Sequence, residues 1–383
     1  MRVALVHDYL NEYGGAERVL ETLSEMWPDA PIYTAFAVSG STAVKAFGDK
    51  KVVTSWFQNV PFYNKLYSPL RFLIPWIWGS FSARGRPAFG WDLSQYDLVI
   101  TSASWYITKG LAPLRRKASE GLRGPLEICY CHTPPRWLYG YETSIDWQKY
   151  WPVRIYAAIV GHFLRMYDFK QAQKVGVFVA NSKNVAERIE KFYRRESVVI
   201  YPPVSPPSVP PLKEIRPSVS SWGKKDYYLI VSRLVGGKGI EMAVEAAKKY
   251  GFKLKIAGEF AGWKKMRGVE TLGRVTEGEK AKLMAGARGF LALARDEDFG
   301  ITPVEAQMCG TPVIAFNGGG YRESVINKKT GILFDDYSVE GLGGAIKEFE
   351  KIKWDKGAIR KHAQKFSKEN FKKQMLELVN KYA

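Results

Sequence analysis

The stretch that decides the fold is GFLALARDEDFGITPVEAQMCGTPVIAF, running from Gly289 to Phe316. Its opening apolar run, Gly289–Ala294, gives way to the charged quartet Arg295-Asp296-Glu297-Asp298. Phe299 and Gly300 then lead into a helical pattern. Thr302 reads as the helix N-cap, Pro303 as the first helical residue and Glu305 as the third residue past the cap, the arrangement of a capping box. Cys309-Gly310-Thr311 ends the helix, and Pro312–Phe316 is a second apolar run. Two short strands without polar alternation, joined by a helix, make a βαβ unit of a parallel sheet covered on both faces. The loop between strand and helix then lies at the carboxyl end of the sheet, where open α/β sheets bind ligands.

The same alternation extends outward. Tyr227–Ser232 and Lys253–Gly258 read as strands before this unit, and Arg2–His7, Asp97–Ser102, Glu127–Cys131 and Val175–Ala180 read as strands in the first half. Between the halves, Tyr201 to Pro217 holds prolines at 202, 203, 206, 207, 210, 211 and 217. Proline fixes φ and removes donors, so this is a stiff linker. The expectation is an α/β protein of two Rossmann-like doubly wound domains, at 1–200 and 225–365, joined by a linker at 201–224. A last helix at 366–383 places Phe371, Met375, Leu378, Val379 and Tyr382 on one face and is expected to pack back on the first domain.

Composition narrows the partners. The chain has 383 residues, 46% hydrophobic and 25% charged, which suits two globular cores. Its three cysteines form neither a disulfide framework nor a zinc spacing, and its four histidines do not pair at ligand spacing, so no histidine-rich metal site is expected. Met1–Leu10 reads as a strand and not a signal peptide, and no apolar run is long enough to span a membrane. The expected location is cytoplasmic. A net charge of +19, from 57 basic and 38 acidic residues, invites nucleic acid, an anionic membrane or a phosphorylated small molecule. No nucleic-acid recognition motif is present. The Gly-x-Gly-x-x-Gly fingerprint of dinucleotide oxidoreductases does not follow the first strand, and no pyridoxal-lysine context suggests a phosphorylase.

Several groups carry chemistry. Arg233 and Lys238, with three glycines at the end of a strand and before a helix, can hold an anion, although the spacing is not that of a Walker loop. The plainer reading is a turn with two solvated cations. The Asp296-Glu297-Asp298 triplet admits an Asp-x-Asp metal motif or a solvated loop. Gly14-Gly15 before the first helix is a tight turn. His132 follows a strand at its carboxyl end, whereas His7 at the end of the first strand is read as structural. From Lys50 to Trp91 there are six basic residues, eleven aromatic ones and no acidic one. Trp56, Phe57, Arg71, Trp76 and Trp78 in that stretch suit an anionic membrane surface or an acceptor; core aromatics with solvated charges are the alternative.

Glu297 and Glu305, with seven residues between them, around Phe-Gly and followed by Cys309-Gly310-Thr311-Pro312, resemble the signature of family 4 glycosyltransferases. Arg233 with Lys238, Gly14-Gly15-Ala16-Glu17, Asn181-Ser182, Gly273-Arg274-Val275 and Gly318-Gly319-Gly320 with Glu323 match the same family in order. The run Cys131-His132-Thr133-Pro134-Pro135-Arg136 resembles the branch containing mannosyltransferases of cell-surface polysaccharide assembly. The resemblance implies a GT-B fold, whose two domains face a central cleft, and retaining transfer from a nucleoside-diphosphate sugar without a metal or other cofactor. GDP-mannose is favoured over a UDP-hexose. Arg233 and Lys238 would bind the diphosphate, Glu305 the ribose, Glu297 the sugar, and Val275 the base through its backbone. The amides of Gly300, Ile301 and Thr302 and the Gly14-Gly15 loop would cover the donor, and His132 would contact the transferred sugar. The first domain would bind a glycan or lipid-linked acceptor at the cytoplasmic membrane face. The triplet Asp296-Glu297-Asp298 departs from the single Glu common in the family.

Overall fold

Short apolar runs become buried strands wherever helices cover both faces of a sheet, and the chain does this twice. The computed structural model describes residues 1–79, 91–113, 116–118, 121–142, 150–207, 226–232, 237–258 and 269–382, with 116–118 and 121–123 as backbone only. Unit 1 comprises Met1–Tyr141, Asp146–Pro203 and Phe371–Ala383; unit 2 comprises Glu142–Ile145 and Val204–Asn370.

In unit 1 the strands are β1 (Val3–His7), β2 (Ile32–Thr34), β3 (Val52–Thr54), β4 (Leu98–Ala103), a side hairpin β5 (Arg116–Ala118) and β6 (Gly121–Arg123), then β7 (Leu126–Cys131), β8 (Val177–Ala180) and β9 (Val198–Val199). Seven of them pair in the order β3-β2-β1-β4-β7-β8-β9, all parallel. Every residue of β1, β4 and β7 is buried, which is why these strands show no polar alternation. On one face, Leu5, Ile32, Ile100, Ile128 and Val179 pack with Val19, Leu20 and Leu23 of the helix Gly15–Met26. The helix Lys368–Tyr382 closes the same cluster with Phe371, Met375, Leu378 and Val379. Tyr382, expected on that face, is instead 38% exposed at the helix end. On the other face, Ala4, Val6 and Val99 meet Phe36, Phe57, Trp78, Tyr106 and Trp137.

Unit 2 contains β10 (Tyr227–Val231), β11 (Lys253–Ala257), β12 (Val269–Gly273), β13 (Gly289–Ala292), β14 (Val313–Phe316) and β15 (Gly331–Phe334). They form one parallel sheet in the order β12-β11-β10-β13-β14-β15. Of the proline-rich segment, Val204 is tied to unit 2 by its amide to the Phe366 carbonyl and a bridge to Ser367. Residues 208–225 of the expected linker lie outside the described residues.

Both sheets share one topological feature. The chain leaves β1 toward β2 and β3, then returns on the other side of β1 as β4. It leaves β10 toward β11 and β12, then returns on the other side of β10 as β13. The loops after β1 and β4 therefore diverge, as do those after β10 and β13, and each divergence opens a crevice at the carboxyl ends.

Met375 is fully buried between its helix and the unit 1 sheet. Met375→Ala is expected to destabilise the protein by about 2–5 kcal/mol, read as a lowered urea midpoint with the slope unchanged. An unchanged midpoint would show that the helix does not contribute to the core.

Candidate active site

In unit 2 the crevice between β10 and β13 brings Lys238 and Glu297 together. The Lys238 Nζ donates to the Glu297 carboxylate at 2.7 Å, with both side chains partly exposed. Lys238 comes from the turn before the helix Ile240–Tyr250, and Glu297 from the loop after β13. Arg233, its expected partner, lies outside the described residues. The Gly318–Gly320 run lies against the Glu297 loop: the Gly320 amide donates to the Glu297 carbonyl at 2.8 Å, and a Cβ on Gly319 would sit 2.2 Å from that same oxygen. These glycines let one backbone approach another closely enough to fix where Glu297 stands.

The helix after this loop corrects the expected cap. It runs Ile301–Met308, and its N-cap is Gly300, with φ of 87°, not Thr302. Glycine adopts this left-handed conformation without strain, so the helix starts earlier than a Thr cap would allow. Thr302 and Pro303 fall at the second and third helical positions, where amides lack an intrahelical acceptor in any case. Glu305 consequently takes no part in a capping box. It points into the unit with its side chain 3% exposed and receives the Lys280 Nζ at 2.9 Å; Lys280 also holds Glu277 at 2.7 Å. The first amides of the helix, at Ile301 and Thr302, stand beside Glu297 in the chain. Val275 follows the left-handed Gly273 and packs its half-buried side chain on the core. Among the described residues no group of three acidic, His or Cys side chains is arranged to hold a metal ion.

In unit 1 the crevice between β1 and β4 contains a chain of hydrogen bonds that sequence reading did not assemble. Gly14 caps the helix Gly15–Met26, and its amide donates to Glu17 Oε2 at 2.9 Å. Glu17 Oε1 faces His7 Nε2 at 3.3 Å, His7 Nδ1 faces Ser102 Oγ at 3.0 Å, and Ser102 Oγ faces His132 Nε2 at 2.8 Å. His7, read as structural, and His132, read as functional, are thus two ends of one network through Ser102. The polarity follows from donor inventory. The Glu17 carboxylate only accepts, so His7 carries a proton on Nε2. With that proton on Nε2 alone, His7 Nδ1 accepts the Ser102 hydroxyl proton, and Ser102 Oγ accepts Nε2–H from His132. His132 is left with Nδ1 as an acceptor. Burial, with a smaller push from neighbouring His7, lowers its pKa to about 3, so the ring is neutral.

Asp8, at the end of β1, ties down the loop after β4. Its carboxylate accepts from the amides of Ser104 (3.0 Å) and Trp105 (2.6 Å) and from the hydroxyls of Ser104 and Thr108. Burial pushes the Cys129 thiol up to about 12 and the Cys309 thiol up to about 11, which disfavours the reactive thiolate at both.

The basic aromatic stretch divides. Phe57 and Trp78, expected at a membrane or acceptor surface, are core residues instead. Phe57 is fully buried against Phe36, and the Trp78 indole donates to the Tyr106 carbonyl at 2.7 Å. The apolar face of this segment folds onto the sheet, which excludes both from any surface contact. Trp56 is half-buried, with its indole donating to the Trp76 carbonyl at 3.2 Å, and Trp76 is exposed. Arg71 is half-buried over the Trp137 ring. A surface missed in the sequence stands close by. The helix Trp151–Ala172 turns Trp151, Ile155, Ile159, Phe163 and Met166 outward, each 44–71% exposed.

Each unit is thus an α/β unit with one parallel sheet and charged groups at a crevice on its carboxyl side. Residues 13–206 match the model for Glycosyltransferase Family 4, and residues 213–373 match that for Glycosyl transferases group 1. The chain belongs to glycosyltransferase family 4, and its fold is GT-B. An uncharacterized glycosyltransferase of Methanocaldococcus jannaschii is 26% identical over 220 residues, 55% of this chain and 59% of that protein. The alpha-1,3/1,6-mannosyltransferase ALG2 of Mus musculus is 34% identical over 120 residues, 30% of this chain and 29% of its own. The matched region thus spans less than two thirds of either relative. The crystal structure of Anabaena HepE in complex with UDP and glucose shares the fold over 99% of both chains, with a TM-score of 0.65 and 18% identity.

A prediction tests the unit 1 network. In ¹⁵N-histidine spectra, His132 is expected as the neutral Nε2–H tautomer down to pH 5, and Ser102→Ala should give a tautomer mixture. The unfolded chain takes up this proton below about pH 6.5 and the native one only near 3, so the stability it contributes is lost as pH falls between them. Titration of His132 above pH 5, or an Nδ1–H tautomer, would overturn the assignment.

Proposed function

We propose that the protein is a retaining, metal-independent hexosyltransferase that moves mannose from GDP-mannose to a glycan or lipid-linked acceptor. The observation that supports this most is the Lys238–Glu297 pair, held across the unit 2 crevice by the glycine run at 318–320. In this reading Lys238, with Arg233, holds the donor diphosphate and neutralises the charge that develops on it as it departs. Glu297 moves from Lys238 to the sugar hydroxyls. Glu305 binds the ribose, with Lys280 orienting its carboxylate. The amides of Gly300, Ile301 and Thr302 and the Gly14-Gly15 turn cover the phosphates, and Val275 meets the base through its backbone. The neutral His132 accepts a hydroxyl hydrogen bond from the sugar on Nδ1. The bond between C1 and the leaving phosphate oxygen breaks while the acceptor oxygen attacks C1 from the same face, and the acceptor proton passes to the leaving phosphate.

The mannosyl reading draws on the match to the mouse mannosyltransferase and on the 131–136 run. A UDP-hexose donor is the second reading, drawn from the fold shared with HepE, whose structure contains UDP and glucose. Thermal shifts with GDP-, UDP- and ADP-sugars decide between them. A ligand at 100 times its Kd stabilises by about 2.7 kcal/mol, and GDP-mannose is expected to give the largest shift, which Lys238→Ala should abolish. Turnover should persist in excess EDTA. A larger shift with UDP-sugars would overturn the donor, and loss of activity restored by Mn²⁺ would overturn metal independence.

The same reading places the protein peripherally on an anionic membrane, through the outward face of the helix Trp151–Ala172. Its stripe from Trp151 to Met166 is about 22 Å long at 1.5 Å per residue. Arg154, His162, Arg165 and Lys170 are the exposed ionisable residues beside it, and the helix's one acidic residue, Asp168, is buried against Lys109. Apolar rings flanked by cations match an anionic headgroup layer. No helix among the described residues is long and apolar enough to cross a membrane. Wild-type protein should co-sediment with phosphatidylglycerol vesicles and not with phosphatidylcholine ones, and a folded Ile155→Gln/Ile159→Gln/Phe163→Gln variant should stay in solution. Equal binding by the variant, or a wild-type dimer that the variant converts to monomer with neither binding vesicles, would overturn this placement.

A further inference from the structure

Among the described residues Arg71 is a cation with aromatic rings and no carboxylate for neighbours. It lies in the short 3₁₀ turn Pro69–Leu73, and its Nε is buried with no hydrogen-bond partner. Among the described residues no carboxylate lies within ion-pair distance. Two indoles hold the guanidinium in place: its carbon lies 4.7 Å from the Trp137 ring centroid and 5.8 Å from that of Trp105. Stacking on aromatic faces leaves the guanidinium edge, a fork of N–H donors, directed at whatever lies beside the rings.

The cage is built from the crevice outward. Asp8, after β1, holds the Trp105 amide; the Trp137 indole donates to the Trp105 carbonyl at 3.1 Å. Trp105 follows β4, and Trp137 follows β7 five residues after His132. Arg71 therefore stands on the carboxyl-end side of the sheet, the side that carries His132 and not the bottom. An unpaired, partly buried cation disfavours the free protein, because burial of donors without acceptors is unfavourable. A ligand that supplies the acceptors removes that penalty.

The surroundings narrow the ligand. Tyr156, on the helix Trp151–Ala172, donates to the Pro69 carbonyl and so joins the outward apolar stripe to the Arg71 turn. Phe72 and Trp76, exposed in the same segment, add to that apolar border. A planar fork next to an apolar surface fits a phosphate carried on a hydrocarbon chain better than a free anion. We propose that Arg71, gripped by Trp105 and Trp137, binds the phosphate of an alkyl-phosphate or alkyl-diphosphate acceptor. This rests on the reading of unit 1 as the acceptor-binding unit and deepens it by naming the acceptor's charged group.

Calorimetric titration of the full chain tests this without glycosyl transfer, so its outcome is separate from that of the donor experiments. The probes are hexyl phosphate, inorganic phosphate and hexanol. Hexyl phosphate is expected to bind more tightly than inorganic phosphate, and hexanol not to bind. Arg71→Gln should weaken hexyl phosphate at least tenfold, and Arg71→Lys, which keeps the charge but loses the fork, should also weaken it. Lys238→Ala should leave it unchanged, which separates this site from the donor diphosphate site. Far-ultraviolet circular dichroism establishes that each variant is folded, and Arg71→Lys carries the test if Arg71→Gln does not fold. Equal hexyl phosphate binding by wild type and both Arg71 variants would overturn the proposal. Equal affinity for inorganic and hexyl phosphate would overturn the alkylated acceptor.

Discussion

The reversal of strand order beside β1 and beside β10 is the constraint on which the rest of this protein depends. A parallel strand sends its chain out at the carboxyl end, and where two neighbouring strands send their connections in opposite directions no backbone covers the gap. Side chains that reach into such a gap are not buried by their own sheet, so polar groups there must find one another or a ligand. Lys238 and Glu297 do this across β10 and β13. His7, Ser102 and His132 do it across β1, β4 and β7.

Each crevice is supported from behind by backbone. In unit 2, glycines at 318–320 come so close to the Glu297 loop that no side chain could be added without moving it. In unit 1, one carboxylate, Asp8, fixes the loop after β4, and with it Trp105. Glu17 joins the Gly14 turn to His7. Four hydrogen bonds thus link that turn to His132.

Much of this was legible in the chain. The eight strands read from apolar runs all form, with ends displaced by a residue or two, because parallel strands buried on both faces have no other way to be written. The Lys238 and Glu297 positions were legible from motif and resemblance. The Gly300 cap was not, because Thr302-Pro303 followed by Glu305 is a sound local signal for a cap two residues later; a left-handed glycine overrode it. The outward face of the helix Trp151–Ala172 was not legible either. A stripe at i, i+4 and i+8 looks the same whether it faces a core or solvent, and only the position of the opposite face, with Leu164 and Asp168 buried, shows which it is. The aromatic stretch erred the other way: Phe57 and Trp78 had the composition of a surface and the packing of a core.

The sequence by itself determined the two α/β units, their strands and the family to which the chain belongs, because these follow from local periodicity and from motifs of a few contiguous residues. Only the tertiary structure decided which distant side chains join one hydrogen-bond chain, which cation stands over two indoles and which apolar face stays outside. Glu17 and His132 are 115 positions apart in the chain, and Arg71 and Trp137 are 66 apart. Pairings over such separations are set by how strands order themselves in a sheet, and no local pattern encodes that order.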